Sequence, residues 1–156
     1  MKRISRDDEK VVFELTDAER QILRFILQSY PMQRGAWPEH PKAPQPSPMG
    51  PDPELLNAEL AAFKTSLQDR VATFLSEQPA PHPTSDVRCL VIHWKDADWL
   101  LQVLNEVRVG TWYALGCPDE NCEMAAVRGP ETWTHLLRLE FAGAFQGLLL
   151  HELESD

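Results

Sequence analysis

The chain lacks an apolar run long enough to cross a bilayer. Its longest candidate, Phe141 to Leu150, is interrupted by Gln146 and falls far short of the ~20 residues a spanning helix needs. The opening MKRISRDDEK has basic residues but no apolar stretch behind them, so neither a secretory signal nor a membrane anchor is read there. Cysteine is scarce: Cys89, Cys117 and Cys122 are an odd number, which makes a poor disulfide framework and points to a cytoplasmic protein. None of the seven glycines forms a phosphate-cradling loop, none of the five histidines forms an HExxH pattern, and no serine sits in a nucleophile elbow. The best-marked enzyme classes are thereby excluded, and no cofactor is expected. Positive charge is also short, with 15 basic residues against 24 acidic ones and a net charge of −9. Such a field repels phosphate backbones and anionic membrane surfaces. The basic Lys2, Arg3 and Arg6 are followed at once by Asp7, Asp8 and Glu9, so nucleic acid and membrane are not expected as ligands.

What is present is the composition of a globular protein, with 43% hydrophobic and 25% charged residues. A chain of 156 residues buries roughly 70% of its unfolded surface. One domain over residues 1–156 is expected.

Val11, Phe13 and Leu15 alternate with Val12 and Glu14, which predicts a strand over Lys10 to Leu15. A first strand near Lys2 to Arg6 and an acidic turn complete a hairpin. Thr16 and Glu19 form a capping box, in which each side chain satisfies the other's backbone amide, so a helix starts there. Pro31 marks its end. Asp52-Pro53 predicts the next start, and apolar residues from Leu56 through Leu60, Phe63, Leu67, Val71 and Phe74 continue the helix, with Arg70 beside them, to about Ser76. Val87 to His93 reads as a strand apolar on both faces, with Cys89 as a small core residue, placed against the hairpin. A third long helix runs from a cap at Asp96 to Gly116, and a fourth from Pro130 to about Leu153. The fourth is apolar nearly all round from Phe141 to Leu150 and is expected at the centre. The fold class is α+β, mainly α: a bundle of four long helices with a small antiparallel or mixed sheet.

Eight of the 13 prolines fall between Pro31 and Pro53, so residues 31–52 read as a proline-rich loop or arm in extended geometry. One reading is a surface linker with Trp37 pinned to the core. Another is a docking arm, since Pro38-Glu-His-Pro41 and Pro41-Lys-Ala-Pro44 fit the spacing read by proline-binding modules.

Three constellations could carry chemistry. The first groups Asn105 and Arg108, three apart on the third helix, with Glu140 on the fourth, which shares a helical face with Leu136, Leu137, Gly143 and Ala144. A carboxylate buried there needs a partner, so this polar cluster is expected either to fix the register of the two helices as an Arg108–Glu140 pair or to floor a ligand pocket. Cys117 and Cys122, with four residues between them, can reach disulfide distance. Their neighbours Asp119, Glu120 and Glu123 disfavour a thiolate, and two ligands do not make a zinc site. The histidines His40, His82, His93, His135 and His151 share no metal spacing. No metal site and no catalytic residue is expected.

Leu104-Asn105-x-x-Arg108 and the closing Leu115-Gly116, with the order of elements around them, resemble the bacterial family called domain of unknown function 2017. Its members have an acidic-capped first helix, a variable middle, a tryptophan-led helix with an LN-x-x-R core ending in leucine-glycine, and a leucine-rich final helix. Here Trp99 stands one residue before the family's tryptophan, Trp112 replaces its usual glycine, and the proline stretch is additional. The resemblance implies a mainly helical, cytoplasmic, regulatory bacterial protein without catalytic residues to carry over. The expected function is a non-enzymatic interaction domain with a protein partner. A thiol redox sensor using Cys117 and Cys122, and a small-molecule pocket around Arg108, are the alternatives.

Overall fold

In the computed structural model, residues 1–32, 53–78, 88–116 and 129–155 are described. The elements are β1 (Lys2–Arg6), β2 (Lys10–Leu15), α1 (Asp17–Gln28), α2 (Pro53–Glu77), β3 (Arg88–His93), α3 (Trp94–Ala114) and α4 (Pro130–Glu154). The fold is α+β and mainly α, with four helices beside one antiparallel sheet in the order β1-β2-β3. The proline-rich reading of residues 31–52, apart from Pro31 and Met32, lies outside the described residues, as do Trp37 and the cysteines Cys117 and Cys122.

The sheet follows from the period-2 pattern of β2. Val11, Phe13 and Leu15 are buried against the helices, and their cross-strand neighbours Leu90 and Ile92 are buried with them. Asp7 shapes the β1–β2 turn by accepting from the Glu9 and Lys10 amides, both at 2.9 Å. These two bonds hold its carboxyl below the ordinary range. The outer edge of β3 is occupied at Val91 by the Gln78 side chain, which accepts from the Val91 amide at 2.9 Å and donates to its carbonyl at 3.2 Å. One side-chain amide thus does what a further strand would do, blunting an exposed edge.

The capping box at Thr16 and Glu19 forms as the pattern requires. Glu19 also accepts from the Met1 amino group, and the N-terminal ammonium, with the Thr16 amide, lowers its pKa. One expected boundary shifts and one holds. Asp96 does not cap α3; the helix starts at Trp94, and Asp96 in its first turn accepts from the Trp99 indole N–H at 2.9 Å. Gly116 closes α3 with φ +80°, the left-handed geometry glycine adopts without steric cost.

The central helix is α3, not α4. Eight α3 residues are buried, including Leu100, Val103, Leu104 and Val107. On α4, Ala142, Phe145 and Leu149 face the core while Leu137, Leu150 and Leu153 are exposed. Hydrophobicity all round marks a helix that can be central; how much of its length the other elements cover decides between α3 and α4. α3 is contacted by α1, α2, α4 and β3. Helix α2 runs antiparallel to α3, with Lys64 bonded to Glu106 at 2.7 Å and Arg70 3.5 Å from Asp96. At the far end, the exposed Arg3 of β1 holds the buried Glu152 of α4 at 2.9 Å, giving a costly buried charge its counter-ion.

Candidate functional site

The expected polar cluster is not a buried pair. Asn105, Arg108 and Glu140 are all exposed. Arg108 donates to Asn105 Oδ1 at 3.4 Å, and its stem passes over Gly143, where a Cβ would lie 3.7 Å from Arg108 Cδ. Glu140 joins no ion pair among the described residues. The reason is rotational: Leu137, Glu140, Ala144 and Gly147 share the solvent face of α4, while Ala142, Phe145 and Leu149 face inward. Leu137 made that outer face look apolar.

Cys89 is exposed rather than a core residue. On β3 only Leu90 and Ile92 face the helices, so the strand alternates instead of being buried on both sides. The histidines remain dispersed: His93 precedes α3 without a side-chain cap, His135 lies 3.4 Å from Arg138, and His151 is exposed. His40 and His82 lie outside the described residues. Among the described residues no group of three His, Cys, Asp or Glu could hold a metal ion, and no helix is long and apolar enough to cross a membrane.

The feature that pattern reading missed lies on α2. Leu56, Leu60, Phe63, Leu67, Val71 and Phe74 recur at steps of three and four, forming one stripe along the helix. Its C-terminal half is core, with Leu67, Val71 and Phe74 buried. Its N-terminal half emerges into solvent, with Leu55 58%, Leu56 45%, Leu60 42% and Phe63 53% exposed. The division falls at Lys64, which pairs with Glu106 of α3. Helices α2 and α4 both begin at the end of the body where α3 finishes, and α4 exposes Trp133 and Leu137 there. Single exposed apolar residues are ordinary, whereas here four are grouped on one helical half-length.

Two grooves flank the buried half of α2. The first, of about 620 Å³, is lined by Asp69, Arg70, Phe74, Glu77, Asp96 and Trp99 among others. Arg70, expected beside the apolar stripe, stacks over Trp99 at 5.0 Å from the ring centroid, while Phe74 meets that ring edge-on at 5.7 Å. The guanidinium therefore fills the aromatic face a cationic ligand would need. The second groove, of about 570 Å³, lies between α1 and α2 and contains no carboxylate. Tyr30 lines it and is buried; that burial, with the charge of Glu106, pushes its pKa up to about 12. No known family model, curated protein or solved structure matches the chain.

Proposed function

We propose that the protein is a non-enzymatic interaction domain of regulatory type, acting in the cytoplasm, whose docking surface is the exposed half-stripe Leu56, Leu60 and Phe63, flanked by Leu55. The observation that carries this reading is the continuity of the stripe: the same face of α2 that forms core from Leu67 onward is apolar and uncovered before Lys64. A helix presenting such a face fits a partner with an apolar helical surface of its own. The net charge of −9 favours a partner with basic margins, since complementary charge accelerates encounter and excludes acidic competitors. Phe63 is the expected anchor, because large aromatic side chains dominate interface energetics.

The test is affinity capture from native lysate with the wild-type chain and with a Leu60→Asp, Phe63→Asp variant, together with titration calorimetry of the purified partner. The partner is expected to bind the wild type and to lose at least tenfold in affinity for the variant, since hot-spot truncation typically exceeds ~1.4 kcal/mol. Equal binding by a folded variant would overturn the reading. The pocket alternative receives less support, because Arg108 lines neither groove along α2. The redox pair Cys117 and Cys122 lies outside the described residues.

A further inference from the structure

The second α2 groove has a composition at odds with the rest of the chain. In a protein with 24 acidic and 15 basic residues, a cavity wall without a carboxylate that carries two arginines is a concentration of positive charge against the background. The arginines, Arg20 and Arg24, stand one turn apart on α1, a spacing that places side chains about 6 Å apart on one face. Like charges at that spacing repel each other. Arg3, Arg6, Arg70, Arg108 and Arg138 each contact a carboxylate, an aromatic ring or a polar side chain. Among the described residues, the side chains of Arg20 and Arg24 have no ion pair, hydrogen bond or ring contact.

The surrounding wall adds donors and an apolar seat. Gln28 continues the arginine row by one more turn, and Gln68 faces it from α2; both side-chain amides are uncommitted among the described residues. Tyr30 remains a protonated hydroxyl at neutral pH and takes no hydrogen bond among the described residues. Val71, Ala72 and Leu75 provide apolar surface between these polar groups. The volume of about 570 Å³ falls within the range of small-molecule sites. Gln78, although it borders the groove, is already committed to Val91 and Phe74 and serves the fold.

We propose that the α1–α2 groove binds a small organic phosphate monoester, with Arg20 and Arg24 on the phosphate and Val71 and Leu75 against the organic part. A carboxylate offers two guanidinium forks only two oxygens in one plane, whereas a phosphate dianion presents three around a single centre and carries twice the charge. The site is independent of the half-stripe proposed for partner docking, since it lies along the other half of α2 and draws on α1.

The test is a titration of the full chain with phenyl phosphate, followed by NMR at the arginine Nε–H groups, with benzoate and inorganic phosphate as comparison probes. Phenyl phosphate is expected to shift Arg20 and Arg24 saturably and to leave Arg108 unmoved. Because charge-assisted hydrogen bonds are the strong ones, Arg20→Gln and Arg24→Gln should each weaken binding about tenfold. Neither side chain has a partner to lose, so both variants should retain the wild-type melting temperature. Benzoate should bind more weakly, for want of acceptors, and inorganic phosphate more weakly, for want of the ring. A shift of Arg108 equal to that of Arg24 would mean diffuse charge attraction, and saturable binding unaffected by either substitution would place the ligand elsewhere. Either result overturns the proposal, as does a failure of phenyl phosphate to saturate at millimolar concentration. Equal affinity for inorganic phosphate would overturn the apolar seat.

Discussion

The two halves of α2 carry the same sequence pattern and meet opposite fates. Leu67, Val71 and Phe74 pack between α1 and α3, whereas Leu56, Leu60 and Phe63, on the same face, stand in water. Periodicity states which side of a helix is apolar; it does not state how far the body beside that helix extends. Here the body ends near the Lys64–Glu106 ion pair, and beyond it the stripe is surface. One half of the helix is explained by folding, and the other half is the surface proposed for docking.

The largest effect expected from perturbing this contrast is at Phe74. It is buried and meets Trp99 edge-on, so Phe74→Ala should cost about 3–5 kcal/mol by urea denaturation. A loss under about 1 kcal/mol would mean that this half, too, is not core. Next comes the cap of α1, the helix on which the buried half rests. Glu19→Gln should cost about 1 kcal/mol at neutral pH. The carboxyl of Glu19 is held below its ordinary pKa of 4.5 by the Met1 ammonium and the Thr16 amide. Its contribution is therefore complete above that ordinary value and is lost as pH falls through the lowered folded value. The wild-type melting temperature should decline on acidification below about pH 4.5, and the variant should decline less steeply; parallel curves would contradict the assignment.

Smaller still is Lys64→Met at the boundary. Its ion pair with Glu106 is partly buried, and such a pair contributes about 0.5–1 kcal/mol. A much larger loss would show that the exposed half depends on this tie for its attachment. Smallest of all is the double substitution Leu60→Ser, Phe63→Ser, expected to change stability by less than about 0.5 kcal/mol because both side chains are already solvated. In the same variant, partner capture should be abolished, so stability and binding separate on one helix.

Much of the fold was legible in the residues themselves. The alternation of Val11, Phe13 and Leu15, the Thr16–Glu19 box, Pro53, Gly116 and Pro130 each act through local chemistry, and each element formed where they point. The failures share a cause, since each depended on which neighbours surround an element. Leu137 suggested that Glu140 faced the core, although both face solvent. Cys89 was read as interior because β3 carries Val91 between Leu90 and Ile92, yet only one side of that strand is covered. The continuous apolarity of α4 pointed to a central position that α3 holds, because more elements converge on α3. The groove beside Arg20 and Arg24 was hidden for the same reason: those residues are 44 or more positions from Gln68 in the chain and meet only through tertiary packing.

The most direct test of the central claim is site-specific photo-crosslinking in native lysate, with a photoreactive residue placed at position 63 in one sample and at position 102 in another. Phe63 lies on the exposed half-stripe, and Gln102 is an exposed polar position on α3. One discrete crosslinked partner is expected from position 63 and none from position 102. The same product from both positions, or none from position 63, would contradict it.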